Sequence, residues 1–263
     1  LLYEPAAGTS LLLNARRAVQ DINTGFYENV SSVIPGKLTP TTPNPVENGY
    51  LDTDGDVFAG DYDRDGFNKL QSHGYTATFK TEVGQVNLTS ISDFSRVRRR
   101  YIEDSDASPV SLLSFFLTTD ADQLSQEIRL DSSLGKLNWV AGLYYLDLDI
   151  KDSNGAITEP FFAGVYSDLG LARTPGSEAG LENPYTSQLK SLSAFGQVEY
   201  DLSDRVSVTL GGRLIRDRKV FAYQILAMEF LDISSELFDA PSNRAQQIEI
   251  LRYNGRRSDT EWA

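Results

Sequence analysis

The sequence has 263 residues, a formal net charge of -13 and no cysteine. The acidity argues against non-specific nucleic-acid binding, which needs a Lys/Arg surplus against phosphate. The absence of cysteine excludes a disulfide framework and a thiolate metal site. No apolar run approaches the roughly 18 residues of a membrane-crossing helix, but a membrane β-barrel needs none, because only alternate strand residues face lipid.

Residues 1–4 read as the end of a strand, Pro5-Ala6-Ala7-Gly8 as a turn, and 10–17 as the return strand. A long irregular segment over 19–69 follows, rich in Pro, Thr, Ser and Asn and then in Asp. So long a connection is foreign to a compact soluble domain. Residues 70–82 form a strand with Tyr75, Ala77 and Phe79 opposite Thr76, Thr78 and Lys80; Gly84 marks a turn, and 85–98 return. A second long loop spans about 99–120.

Residues 121–149 hold the clearest hairpin. Leu124, Ile128 and Leu130 alternate with Ser125, Glu127, Arg129 and Asp131, the period-two mark of a sheet with one apolar and one wet face. Ser132–Lys136 is turn chemistry, and Leu137, Trp139, Ala141, Leu143 and Tyr145 share a face of the return strand. That alternation is the weaker one, because Val140, Tyr144 and Leu146 occupy the opposite face. A third long loop covers about 150–187, with the breaker pairs Asn154-Gly155, Pro175-Gly176 and Asn183-Pro184. Residues 188–201 and 206–220 form a hairpin around a turn at 202–205, and a last long segment runs over about 221–257, with a short helix predicted at 225–238. Thr260-Glu261-Trp262-Ala263 looks like the opening of another strand.

Short turns therefore alternate with long loops, the two-sided asymmetry of an outer-membrane barrel. Tyr3, Trp139 and Tyr200 each lie near a short turn on the apolar parity of their strands, where amphipathic rings form a girdle. The plainer reading is that Tyr and Trp are good strand residues. The expected fold is all-β: an antiparallel up-and-down transmembrane β-barrel, here a partial barrel of about eight strands.

SQEIRL followed by a turn and LNWVAGLYYL resembles a hairpin of TonB-dependent receptors, the plugged outer-membrane barrels of Gram-negative bacteria. NLTSISDFSRVRRRYIEDSD with Ser108-Pro109, and AFGQVEYDLSDRVSVTLGGRLIRDR, resemble the same family in order and spacing. The resemblance implies that residues 1–263 are an internal piece of one barrel domain, roughly a third of a wall of about 22 strands. The signal peptide, plug domain, TonB box and C-terminal strands are expected outside this sequence. It further implies energised uptake of a scarce bulky solute such as a ferric siderophore, with iron transport as the setting. The implied partners are the TonB–ExbB–ExbD complex, outer-membrane lipid and lipopolysaccharide. The implied location is the cell outer membrane, and no enzyme activity is expected. No plug motif maps onto this sequence, so the resemblance transfers no binding residue. The long loops are the candidate cargo surfaces.

Two other readings stay open: a passive porin-type channel, and a secreted calcium-binding β-protein. The second rests on Asp61, Asp63, Asp65 and Gly66, which match the first half of an EF-hand loop, although Ser72 stands where that loop needs a bidentate Glu. The plainer reading is an acidic, solvated loop. Arg96, Arg98, Arg99 and Arg100 read either as an anion contact in or near the lumen or as ordinary lumen charge alternation. His73 is alone and makes no metal site. No triad, phosphate loop or dinucleotide fingerprint is present. The sequence thus offers no catalytic, cofactor or metal residue and no cofactor.

Overall fold

Four two-residue turns fold the chain into hairpins. A computed structural model describes residues 1–24, 55–56, 58–231 and 244–262, with backbone alone for 159–163 and 244. Nine strands make one sheet: β1 (Leu2–Ala6), β2 (Thr9–Thr24), β3 (Gly66–Val83), β4 (Val86–Asp104), β5 (Ser114–Leu134), β6 (Leu137–Ile157), β7 (Glu178–Ser203), β8 (Val206–Phe230) and β9 (Arg244–Trp262). A helix, α1 (Glu159–Asp168), lies between β6 and β7. Every strand pairs antiparallel with its neighbours in sequence, giving the order β1 to β9. This is the up-and-down arrangement of a partial barrel. The short turns lie at one end of the strands and the long connections at the other. Gly8, Gly84 and Gly135 hold positive φ in three of the turns, as two-residue hairpins require.

The register carries the two faces across the sheet. Leu11, Phe79, Ser90, Ile128, Leu143, Ala194 and Leu214 stand side by side on one face. One residue along, Ser10, Lys80, Thr89, Arg129, Gly142, Phe195 and Arg213 occupy the other. Phe94, Ile128, Leu143, Leu192 and Leu210 lie exposed on the first face, too much contiguous apolar surface for water. In a barrel this is the outward face, and the polar one lines the lumen.

The apolar stretch runs over 124–134 on β5, 137–145 on β6, 192–202 on β7 and 206–214 on β8. At about 3.3 Å per residue this is about 30 Å of strand. Tilted at roughly 40°, it gives a belt of about 23 Å, close to the height of an outer-membrane apolar band. The belt ends toward the long connections at Asp122, Asp147, Lys190 and Arg216 on successive strands. Because Leu124 pairs with Asp147 and Leu192 with Arg216, this boundary steps along the register from strand to strand. Inclined strands cut by a level plane behave this way.

Beyond the belt the strands continue as a rim covered on both faces. Ile102, Phe116, Ile157, Leu226, Met228 and Phe230 form a buried cluster on the outward face. The Phe116 and Phe230 rings meet nearly edge-on at 5.5 Å. Arg64, from the segment before β3, crosses this face to the Ser114 hydroxyl (2.9 Å) and to Glu178. Tyr166 and Val165 of α1 pack on Ala179, Leu181, Ala227 and Ile248 of the opposite face.

Several sequence expectations need correction. The described residues hold nine strands where about eight were expected, and the regions read as loops over 99–120, 150–187 and 221–257 contain strand over 99–104, 114–120, 150–157, 178–187, 221–230 and 244–257. Ile225–Phe230 belongs to β8 rather than to a helix over 225–238; residues 232–238 lie outside the described residues, as does most of the 19–69 segment. The one described helix falls in the third connection, where none was expected. Hydrophobic alternation ends where the belt ends, whereas backbone pairing runs on into a rim packed by its own connections. β9 was hidden because Arg252, Arg256, Arg257 and Asp259 leave little apolar alternation. Asn183-Pro184 removes two rungs of the β7–β8 ladder rather than ending β7, since proline lacks an N–H to donate.

Candidate functional site

The inward face is polar along the belt. The Arg16 guanidinium donates two hydrogen bonds to Asp93 (3.0 and 3.1 Å), and the Thr76 hydroxyl donates to the same carboxylate (2.6 Å), tying β2, β3 and β4 together. Arg16 lies across Gly74, where any Cβ would collide with it. On β7, Phe195 covers Gly142 in the same manner, an aromatic ring filling the place of an absent side chain. Arg213 stacks over Tyr144 at 5.9 Å and donates to the Ser193 hydroxyl (2.9 Å).

Toward the long connections the inward face becomes aromatic and amide-rich. Asp152, Tyr185, Tyr223 and Tyr253 are neighbours across β6 to β9. The Tyr185 hydroxyl donates to Asp152 Oδ2 (2.6 Å), and this hydrogen bond, followed by burial, pushes the phenol up to about 12. The phenol is thereby aimed at Asp152. Asp152 Oδ1 is buried without a partner among the described residues. Asn183 donates to Asn154 (3.2 Å), Tyr223 donates to Asn183 (3.4 Å), and Phe221 lies 6.1 Å from the Tyr185 ring. Further along the wall Arg99 stacks on Tyr101 at 5.2 Å, and Tyr101 meets Phe115 at 6.4 Å. Such a surface can stack on flat groups and hydrogen-bond polar ones while carrying little net charge.

The α1 connection sits on the same face, beyond Tyr185 and Tyr223. Its anchor is Arg173, which donates to the fully buried Glu229 (3.1 Å) and to the Ser177 carbonyl (2.6 Å). The Thr174 N–H donates to the other Glu229 oxygen (3.1 Å). Burial first, then the charge of Glu229, raises the phenol of Tyr166.

The arginine run does not form one site. Arg96, Arg98 and Arg100 fall on the outward face, opposite Asp122, Asp120 and Thr118, and only Arg99 turns inward, to Asn68 Oδ1 (3.0 Å). Neither a lumen anion contact nor lumen charge alternation describes the three outward ones. His73 sits between Arg17 and Arg96 on the outward face. Tyr3 and Tyr200 are exposed on that face near short turns, and Trp139 is half-buried there.

The half EF-hand also takes another form. Asp63 joins Asp104 and Asp106 rather than Asp61 and Asp65. The carboxylate of Asp104 accepts the N–H groups of Asp63, Asp106 and Ala107; that of Asp106 accepts those of Leu112 and Leu113. Burial raises Asp104 to about 7, helped by a hydrogen bond with the Asp63 carboxyl and by the charges of Asp106 and Asp63. These carboxyl groups tie the segment before β3 to the β4–β5 connection. Sequence reasoning missed the inward patch because its residues lay in stretches read as loop. Once those strands are extended, Asp152, Tyr185, Tyr223 and Tyr253 fall into register.

The barrel-domain profile described as TonB dependent receptor-like, beta-barrel, matches residues 6–243. No curated protein matches. The fold resembles the ferric yersiniabactin uptake receptor FyuA of Yersinia pestis, with a TM-score of 0.55 and 13% identity over 97% of this chain and 31% of that one. It also resembles the ferric-catecholate import receptor Fiu of E. coli K12 in its closed form, with a TM-score of 0.53 and 11% identity over 99% of this chain and 39% of that one. The chain thus spans about a third of the length of these receptors. Match, topology and apolar belt agree: the chain belongs to the TonB-dependent receptor family, within its β-barrel domain.

Proposed function

We propose that the chain is part of the wall of an outer-membrane receptor that takes up a scarce, bulky solute such as a ferric siderophore, energised through TonB–ExbB–ExbD. The observation that carries this reading is the inward patch of Tyr185, Tyr223, Phe221, Asn154 and Asn183 near the long-connection end. It lies on the lumen side just inside the α1 connection, on the path of a solute entering from outside. The family match favours an energised importer over a passive porin. The family match also favours it over the secreted calcium-binding reading, in which a cation would sit on Asp63, Asp104 and Asp106, whose carboxylates lie within 4.8 Å of one another, rather than in an EF-hand loop. A plug domain and TonB box belong to this reading as parts of the whole receptor, and residues 1–263 as one piece of its barrel domain.

The test is uptake of radiolabelled ferric catecholate and ferric phenolate chelates by cells carrying the whole receptor under iron limitation. Uptake of at least one chelate should disappear on deletion of the gene and on collapse of the proton gradient. Tyr185→Ala/Tyr223→Ala should weaken chelate binding about tenfold or more with the barrel still assembled, as expected for loss of two stacking and hydrogen-bonding rings. Uptake that is indifferent to the proton gradient would leave a passive channel. Uptake unaltered by deletion sinks the import reading.

A further inference from the structure

The long-connection end of the inward face carries an uneven pattern of charge. Val97, Ala121, Ile150, Ser187 and Phe221 form one register row across β4 to β8. From that row to the long connections, the inward positions of β4 to β8 hold three carboxylates, Glu103, Asp152 and Glu229, and, among the described residues, one cation, Arg99. The carboxylates are all tied into the wall. Glu103 accepts from the hydroxyls of Tyr101 and Ser105, Asp152 from that of Tyr185, and Glu229 from the Arg173 guanidinium and the Thr174 N–H.

Arg99 is held differently. It is half-buried on β4, its Nε donates to Asn68 Oδ1 on β3 (3.0 Å), and its guanidinium stacks on Tyr101 at 5.2 Å. No carboxylate lies within ion-pair distance of it among the described residues. A guanidinium has five N–H donors in one plane, so a ring on its face and an amide on Nε leave the Nη edge for a bidentate oxyanion. Holding Asn68 alone would need only an N–H donor, which glutamine also supplies.

Arg99 also stands in one register row with the aromatic patch. Arg99, Thr119, Asp152 and Tyr185 are successive neighbours on β4 to β7, so the guanidinium and the phenol are three strands apart. At about 4.8 Å per strand this is about 14 Å along the wall, a span that suits a bulky chelate and exceeds any free inorganic anion. Asp152, between them, has one oxygen on the Tyr185 hydroxyl and the other buried. Its charge gives the row a direction: an anionic edge is drawn to the Arg99 end and kept from the Tyr185 end.

We propose that Arg99 is a specificity-determining residue of the cargo site, selecting anionic chelates by an ionised oxygen edge while a ring of the same chelate lies on Tyr185 and Tyr223. A neutral chelate gains nothing from Arg99, and a small free anion does not reach from Arg99 to the rings. This inference rests on the importer reading and adds to it the charge of the cargo and the residue that reads it.

The test uses the whole receptor in detergent and two probes, a ferric tricatecholate, which is anionic, and a ferric trihydroxamate, which is neutral, with binding read by equilibrium dialysis of labelled iron. Wild type should bind the tricatecholate more tightly, and less tightly as salt rises. Arg99→Gln should weaken tricatecholate binding about tenfold or more and flatten its salt dependence, as loss of a bidentate charge-assisted contact implies, and should leave trihydroxamate binding as it was. Arg99→Lys should recover part of the loss, since it keeps the charge without the planar fork. Arg98→Gln, on the outward face, should bind like wild type. Heat-modifiable migration on gels shows that each variant is folded. Equal tricatecholate binding by wild type and Arg99→Gln overturns the proposal, and so does a wild type that prefers the neutral chelate. An equal loss for both chelates in Arg99→Gln overturns it too, leaving Arg99 a structural support. A wild type that binds neither chelate and imports none in energised cells sinks the importer reading itself, which is a different result from an importer indifferent to Arg99.

Discussion

Leu143 and Phe116 are large apolar side chains on the same face of one sheet, yet Leu143 is 54% exposed and Phe116 is completely covered. Leu143 belongs to the belt, where the covering is supplied by surrounding hydrocarbon. Phe116 belongs to the rim, where the chain supplies it from its own connections and from Ile102, Ile157 and Phe230. The same alternation of residues therefore serves two solvents. The belt is stabilised by matching lipid, and the rim by close packing like that of a soluble protein.

If this contrast holds, truncation and charge should act oppositely in the two regions. Phe116→Ala should be the costliest change, about 3–5 kcal/mol of local stability through a cavity beside Phe230. Hydrogen exchange should show the loss in the rim ends of β5, β6 and β8 and not at 124–146. Equal loss in the belt would mean that the two regions are one packing unit. Ile128→Arg should cost about 2–4 kcal/mol in refolding into bilayers, while a charge change at neighbouring Glu127, on the lumen face, should cost much less. Similar costs at both positions would remove the distinction between the faces.

The smallest effect expected is a pH dependence confined to the rim. Asp104 has its carboxyl raised to about 7 by burial and the carboxyl partner Asp63. A raised carboxyl contributes stability in its protonated form, fully below its ordinary value near 4 and lost as pH rises through about 7. Protease resistance of the 58–66 segment should therefore fall between about pH 4 and pH 7, and Asp104→Asn should flatten that profile. A belt that responds to the same titration would contradict the separation.

The belt was legible in the sequence because lipid on one side and water on the other impose period two. Leu124 to Leu130, Tyr75 to Phe79 and Val206 to Leu214 announced their faces before any pairing was known. The weak alternation of 137–146 was also informative, since Val140, Tyr144 and Leu146 face the lumen. The rim was not legible. Phe116, Ile157 and Met228 are buried by segments distant in sequence, and their neighbours Glu182 and Ser153 are buried with them, bonded at 2.8 Å. A strand covered on both faces has no reason to alternate. Breaker pairs such as Asn154-Gly155 then misled, because pairing on both flanks overrode their local preference. The arginine run failed for another reason: four basic residues in five positions cannot share one face of a strand.

The plain neighbour-to-neighbour order of the sheet has a consequence for assembly. Among the described residues each strand pairs with the strand next to it in sequence, and four hairpins close through two-residue turns with little loop entropy to overcome. The wall can grow by accretion, each completed hairpin presenting a fresh ladder of donors and acceptors to the next. The hairpin is then the unit of construction, and also the smallest piece by which such a wall could be widened or narrowed without disturbing either face.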